Sequence, residues 1–507
     1  MYAKTFGATI CGIYGVEIIV EVDVANGLPG FEIVGLPDTA VRESRERVKA
    51  AIKNSGFHFP FTKVVVNLAP ANLKKDGSGL DLPIAMGILL ATHQVEIREI
   101  DNVMFVGELA LDGSLRGVNG VLPMVLGAKE KSKLSVYVPA ANAGEGGIVS
   151  GINVYAPQNL AQLANHFING EPLPLCKKTT VTEKTNKYYD VDFSEVEGQL
   201  VAKRALEIAA AGGHNVLMVG APGAGKTMLA RRLPTILPKM SEAEQLEVSK
   251  IYSVAGLMAK QQGLITDRPF CSPHHTISQN ALIGGGRVPK PGQVTLSHNG
   301  VLFLDEFPEF SRSALEVLRQ PLEDGFVNIS RVQASLSFPA NFILVAAQNP
   351  CPCGYFQEED GVHECRCSQG ELERYQKKIS GPLLDRIDLQ IHVPRLNYQE
   401  LKYKRASETS ATIRDRVIAA RQIQVERLKR EQLYCNSAMG HREIVKYCRL
   451  TMQAEKLLEK FFASLGLSAR SHDRIIKVAQ TIADLAKSDC IDTAHLAEAI
   501  QLRTREG

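Results

Sequence analysis

Asn215 to Leu237 reads NVLMVGAPGAGKTMLARRLPTIL, and this stretch decides the fold. An apolar run leads into Gly220-Ala221-Pro222-Gly223-Ala224-Gly225-Lys226-Thr227, and a helical pattern starts at Met228, so a phosphate-binding loop stands between a strand and a helix as such a loop requires. The glycines let successive backbone N–H groups turn inward around phosphates, and the helix N-terminus adds the positive end of its dipole. Lys226 is placed to neutralise the β- and γ-phosphates and Thr227 to hold Mg²⁺. Farther along, the apolar run Val301-Leu302-Phe303-Leu304 ends in Asp305 and Glu306. A buried parallel strand delivers its terminal carboxylates to the sheet edge where the phosphate loop lies. Asp305 therefore suits the Mg²⁺ coordination sphere and Glu306 suits polarising an attacking water. The strand NFILVAAQNP ends in Asn349, which can orient the same water, although an Asn before Pro350 also reads as a turn former.

Outward from this centre, short apolar runs alternate with helical segments from 191 to 394, the pattern of a parallel sheet covered on both faces by helices. Residues 395–507 carry helical patterns only and form a cap, with Ile413, Val417, Val425 and Leu428 on one side of its first helix. Residues 1–168 mix strand-like stretches (VEIIVEVDV, KVVVNLA, LSVYVPA) with helical ones, a separate α/β unit. The Pro-, Thr- and Lys-containing segment 169–190 reads as a linker. The total of 507 residues agrees with about three units at ~150 residues each. No run of ~20 apolar residues occurs, which argues against a membrane span and points to the cytoplasm. In SGPLLDRIDL, Arg386 stands before the last strand, far in sequence from the phosphate loop, where a cation can face a neighbouring subunit's γ-phosphate. Ser468-Ala469-Arg470 opens a cap helix and is read as reaching back to the phosphates, so that cap movement follows hydrolysis. Arg319 and Arg474 are further interface candidates, with plain salt bridges the competing reading.

Taken together, GQLVAKRALEIAAAGGHNVLMVGAPGAGKTMLARRLP, LFLDEFPEF, AAQNPCPCG, SGPLLDRIDL and SARSHDRIIKVAQTIADL resemble the magnesium-chelatase-like AAA+ ATPases, in particular the ComM/YifB family, over essentially the whole chain. The resemblance implies an α/β protein with an N-terminal Lon-protease-like (S5-like) α/β domain, a P-loop AAA+ αβα core with a parallel sheet, and a C-terminal helical lid. It implies that Lys226 and Thr227 are the Walker A pair, Asp305 and Glu306 the Walker B pair, Asn349 sensor 1, Arg386 the arginine finger and Arg470 sensor 2. It also places Gly198 and Gln199 near the nucleotide base and makes ATP with Mg²⁺ the cofactor. A finger acting in trans requires a ring, so a homo-hexamer follows from the resemblance. The activity implied is an ATP-driven DNA translocase or helicase that promotes branch migration during recombination in natural transformation.

Two insertions bear on what such a motor grips. Leu282–Gly292 (LIGGGRVPKPG) interrupts a helical region, and Gly325–Phe338 (GFVNISRVQASLSF) alternates like a hairpin. In family members with ring pores both loops point into the channel, so Arg287, Lys290 and Arg331 are candidates for sequence-independent phosphate contacts along single-stranded or branched DNA. Ordinary charged surface loops are the competing reading. Positions 401–450 hold twelve Lys/Arg against five Asp/Glu, a block that marks either a polyanion-facing surface or a solvated helical face, on a chain whose overall net charge is +3. Cys351, Cys353, Cys365 and Cys367 match the ligand count of tetrahedral Zn²⁺, with C-x-C spacing in place of the usual wider one. Reduced, unliganded thiols are the alternative, and His363 is a further possible ligand.

The segments NLAPANLKKDGSGLDLPIAMGILLA and GELALDGSLRGVNGVLPMVLGA are similar to the Lon-protease-like domain found in Lon and in the DNA repair protein RadA. Lon chemistry needs a Ser nucleophile and a Lys base; here the corresponding positions carry Asp81 and Leu122, and the nearby Ser78 lacks an activator. The domain is thus expected to be a non-proteolytic platform. Three functions compete: a DNA motor, a magnesium-chelatase-like subunit remodelling a protein partner, and a Lon-like protease, the last opposed by the missing Ser/Lys pair.

Overall fold

The computed structural model describes residues 1–503 other than 76, 178–189, 259–262, 287–288, 332–333, 357–363, 396–406 and 466–467. In the first unit, Tyr2–Cys11 and Tyr14–Ala25 pair antiparallel from Tyr2 opposite Asp23 to Cys11 opposite Tyr14. Ile18, Val20, Val22 and Val24 are buried while Asp23 is exposed, the period-two pattern of a sheet with one covered face. Lys63–Ala69 and then the parallel strand Gly30–Val34 complete the four-stranded sheet. Helix Asp81–Ala91 lies on the covered face so closely that a Cβ on Gly87 would sit 2.6 Å from Val22. A second, three-stranded parallel sheet (Val103–Phe105, Ser135–Tyr137, Asn153–Tyr155) follows, with helices Val121–Glu130 and Leu160–Asn169.

The linker begins later than its composition suggests. Leu173 and Cys176 are buried, the Ala156 N–H donates to the Pro174 carbonyl and the Cys176 N–H to the Val154 carbonyl. Two apolar residues set among Pro and Glu suffice to hold 171–176 against the first unit, and a composition window averages them away. The remainder of the expected linker, 178–189, lies outside the described residues.

The second unit is built on a five-stranded sheet in the order Phe270–Cys271, Val301–Leu304, Ile343–Gln348, Val216–Val219, Leu389–His392, every pair parallel. All four residues of Val301–Leu304 are buried, as a strand covered on both faces requires. Parallel pairing gives the sheet two distinct edges: Val219, Leu304, Gln348 and His392 end at one, and Val216, Val301, Ile343 and Leu389 start at the other. Phe326–Arg331 and Ala334–Pro339 form the expected hairpin, and Gly284–Gly285 pairs with Lys290–Pro291. The first unit is fastened to this core where helix Val121–Glu130 packs on helix Glu242–Val254. There the buried Glu145 carboxylate accepts from the Leu122 N–H at 2.7 Å and from the Ser253 hydroxyl, and the Gly120 N–H donates to the Ser253 carbonyl.

The cap is helical as expected, with Ser410–Leu428, Met452–Leu465, Ala469–Leu485 and Thr493–Gln501. Its first helix buries Ile413, Val417, Ala420, Gln424 and Leu428, whereas Val425 is exposed. The true stripe steps by three and four residues through a glutamine whose side chain accepts the Asn436 N–H, so hydropathy alone chose the wrong neighbour. Part of the basic block is engaged internally: Arg416 pairs with Glu207 and Glu408, Arg427 with Asp484, Lys446 with Glu431, and Arg421 donates to the Ala210 carbonyl. Glu207 and Asp484, from outside the block, offset two of its surplus positive charges.

A buried polar network joins cap to core. Asp484 accepts from Arg427 and Asn436, Asn436 donates to Thr481, and Thr481 meets His214 Nε2 at 2.8 Å. The other nitrogen of His214 lies 3.5 Å from Asp388, which also pairs with Arg474. Burial opposes ionisation of Asp388, yet Arg474, His214 and the Asn215 N–H outweigh it and hold the carboxyl far below its usual range. A depressed folded-state value stabilises above the usual aspartate range and is lost as pH falls through it. Asp388→Asn is accordingly expected to cost about 3–5 kcal/mol at neutral pH. Thermal melts of parent and variant should converge on acidification.

Candidate functional site

The phosphate loop leaves strand Val216–Val219 at the sheet's C-terminal edge. Gly220 passes so near the next strand that a Cβ there would lie 2.2 Å from the Val393 carbonyl oxygen, and Gly223 and Gly225 take φ values of +80° and +91°. Lys226 is buried at the start of the following helix, with its ammonium on the Gly220 carbonyl (2.6 Å), the Ala221 carbonyl (2.9 Å) and Asn349 Oδ1 (3.2 Å). Thr227 Oγ1 donates to Asp305 Oδ2 at 2.8 Å. One hydroxyl and one carboxylate from different elements thus converge as hard oxygen donors of the kind Mg²⁺ takes. Asn349, at the end of the neighbouring central strand, completes a cluster that the sequence placed across more than a hundred residues.

Gly198 and Gln199 both adopt left-handed backbone, φ +56° and +52°, directly before helix Leu200–Gly212. The Gln199 amide donates to the Pro394 and Ala224 carbonyls, so it sits against the loop, and its buried Oε1 has no partner among the described residues. A buried unpaired acceptor beside a phosphate loop fits the exocyclic amine of a nucleotide base. Pro222 faces Gly354, and Met228 lies partly exposed in the first helical turn.

Glu306 has a φ of +52°, and its Oε2 is 2.9 Å from His275 Nδ1. The His275 ring lies against that of His274, tilted by 34° with centroids 4.1 Å apart. Sequence reading missed His275. It follows Phe270–Cys271, and only the sheet order reveals that this short edge strand adjoins the strand bearing Glu306. The signal was the pair His274-His275 in SPHHT, which has no meaning without a neighbour.

Arg386 lies at the opposite edge of the sheet, before the strand Leu389–His392, whose four residues alone span ~13 Å at about 3.3 Å each. Its guanidinium is mostly buried, donates to the Pro382 carbonyl and pairs with Glu323, while its Nε has no partner among the described residues. Arg470 is exposed and its Nη2 is 3.8 Å from the same Glu323. The expectation that Arg470 reaches back to the chain's own phosphates is therefore corrected. The second turn of helix Ala469–Leu485 is tied to the far edge through Arg474 and Asp388, and Glu323 brings Arg470 beside Arg386. Glu323, which gathers both arginines, was not singled out from sequence. Arg319 pairs with Glu316 and Arg474 with Asp388, the salt-bridge reading in both cases.

The sulfur atoms of Cys351, Cys353, Cys365 and Cys367 all lie within 4.8 Å of one another. Three of the separations are 3.2, 3.8 and 3.7 Å, and tetrahedral zinc with ~2.3 Å bonds sets sulfurs about 3.8 Å apart. His363 lies outside the described residues, as does Arg287. Lys290 is exposed beside Gly285, and Arg331 closes its strand opposite Ala334. In the first unit Asp81 is buried and bonded to Arg47 (2.8 Å), Ser44 and the Leu109 N–H. Leu122 is buried, Ser78 bonds to Glu108 and the Lys75 ammonium sits on the Pro70 carbonyl. No Ser/Lys pair is assembled among these residues.

A phosphate loop, an acid pair and a polar sensor at one edge of a parallel sheet, backed by a helical lid, define an AAA+ nucleotide-binding core. Family models described as magnesium chelatase, subunit ChlI, subunit ChlI of Mg-chelatase, and magnesium chelatase, subunit ChlI C-terminal match residues 192–401, 20–142 and 407–503. The chain is 45% identical to the competence protein ComM of Haemophilus influenzae, covering 99% of this chain and 97% of that one. It is 43% identical to YifB of Escherichia coli, covering 97% and 95%. Over 139 residues, 26% of the chain and 25% of the relative, it is 32% identical to Lon protease 2 of Bacillus subtilis. The chain belongs to the ComM/YifB family of magnesium-chelatase-like AAA+ proteins. Among the described residues, no helix is long and apolar enough to cross a membrane.

Proposed function

We propose that the chain is an ATP-driven DNA translocase that works as a homo-hexamer and promotes branch migration during homologous recombination in natural transformation. The observation that carries this reading is the placement of Arg386 and Arg470 together at the sheet edge remote from Lys226. A cation there has no route to its own nucleotide and serves phosphoryl transfer only when a second protomer presents its phosphate loop to that face. ATP binds through Gly220 to Met228 with Gly198 and Gln199 at the base. Mg²⁺ sits between Thr227 and Asp305, Glu306 activates water and Asn349 orients it. Zn²⁺ occupies the four cysteines. Lys290, with Arg287 and Arg331, contacts DNA phosphates without reading bases.

The competence name of the Haemophilus relative supports the DNA reading, and the chelatase description of the matching models favours the alternative, a subunit that remodels a protein partner. ATPase assays with and without forked or four-way DNA junctions separate them. Stimulation by branched DNA is the expected result, and a rate indifferent to every DNA tested overturns the motor.

A further inference from the structure

The four-cysteine cluster is built onto the nucleotide site. Cys351 follows Asn349 by two residues, and Asn349 accepts from Lys226. Gly354, next to Cys353, has φ +89° and lies against the phosphate loop so tightly that a Cβ there would come within 2.6 Å of Pro222 Cδ. Its N–H points at Cys351 Sγ, 3.2 Å away, as in metal-thiolate turns. Tyr355 then meets the Arg395 guanidinium at 5.8 Å, and Arg395 reaches within 3.9 Å of the Cβ position of Gly223. One short run, Asn349-Pro350-Cys351-Pro352-Cys353-Gly354-Tyr355, therefore touches the phosphate loop at its lysine, its proline and, through Arg395, its central glycine. Cys351 is buried while Cys353, Cys365 and Cys367 are only partly buried, so a metal shared by the four would tie the outer thiols to the one that packing already holds.

We propose that the zinc held by these four thiolates is a positioning element of the nucleotide site: by pinning the run from Asn349 to Tyr355 it fixes the phosphate loop and Asn349 in their nucleotide-ready arrangement. Each cysteine gives up its proton on metal binding and no electron moves. The inference rests on the proposed ATP and zinc sites and deepens them by linking one to the other.

The discriminating variant is Gly354→Ala, which keeps all four cysteines but drives a methyl group, at a left-handed residue, into the rigid Pro222 ring. It is paired with Cys353→Ser/Cys367→Ser in the full-length chain. Zinc is read by elemental analysis, nucleotide affinity by titrating a fluorescent ATP analogue, and folding by circular dichroism. The parent is expected to hold about one zinc per chain. Gly354→Ala should keep its zinc and its spectrum and bind nucleotide about tenfold or more weakly, within the range that altered support of a site commonly costs. The double cysteine variant should lose both zinc and affinity. If Gly354→Ala, or the parent stripped of zinc, binds the analogue like the untreated parent, the coupling is overturned, and a parent that binds no zinc overturns it equally. A parent that carries zinc but binds no nucleotide overturns the proposed ATPase itself.

Discussion

An Arg386→Ala chain is expected to bind ATP like its parent and to hydrolyse it about 10³-fold or more slowly, the range over which arginine fingers act in phosphoryl transfer. The two halves of this expectation come from separate features. Binding is spared because Arg386 stands behind the sheet, on Glu323 and the Pro382 carbonyl, with the length of a strand between it and Lys226. Turnover should collapse because, in the proposed ring, the charge developing on the transferring phosphoryl group would lose its cation from the adjoining protomer. The arrangement also permits complementation. Mixed with Lys226→Ala, which lacks the phosphate-binding ammonium, Arg386→Ala should recover measurable activity, because each contributes the half-site the other lacks. Steady-state ATPase and analogue binding on the same preparations check this. An Arg386→Ala protein of unchanged turnover would remove the trans reading.

Glu306→Gln is expected to retain ATP and to slow hydrolysis by about 10²–10⁴-fold, the usual contribution of a positioned general base. The amide keeps the shape and loses the basicity, while the Thr227–Asp305 pair that receives the metal is untouched. His275 adds a second readout. Its Nδ1 lies 2.9 Å from the Glu306 carboxylate, close enough to steer where the base points. His275→Ala should therefore alter the basal rate without abolishing it, and Glu306→Gln should mask that change when the two are combined, which a double-mutant cycle reports.

Much of the architecture was readable because the informative features are local. A glycine loop between an apolar strand and a helix, apolar runs closing on acids, and helical periodicity each need fewer than a dozen residues to declare themselves. The expected placement of Asn349 beside Lys226 and of Asp305 beside Thr227 followed from one rule about parallel sheets. What escaped were properties of pairs. Nothing near Glu323 announces that it sits between two arginines from other segments, and His275 acquires its partner only through strand order. The charge excess at 401–450 is overstated for the same reason: Glu207 and Asp484, which neutralise part of it, lie outside the window that was counted. Val425 was misplaced because a polar Gln424 occupies the buried stripe, a case in which hydrogen bonding outranks hydropathy.

The seam between helices Val121–Glu130 and Glu242–Val254, with Glu145 bridging the Leu122 N–H and the Ser253 hydroxyl, bears on how motion is transmitted. A buried carboxylate bonded to both units resists rotation of one against the other. A tilt of the nucleotide-binding core should therefore carry the N-terminal unit with it as a lever arm rather than as a tethered passenger.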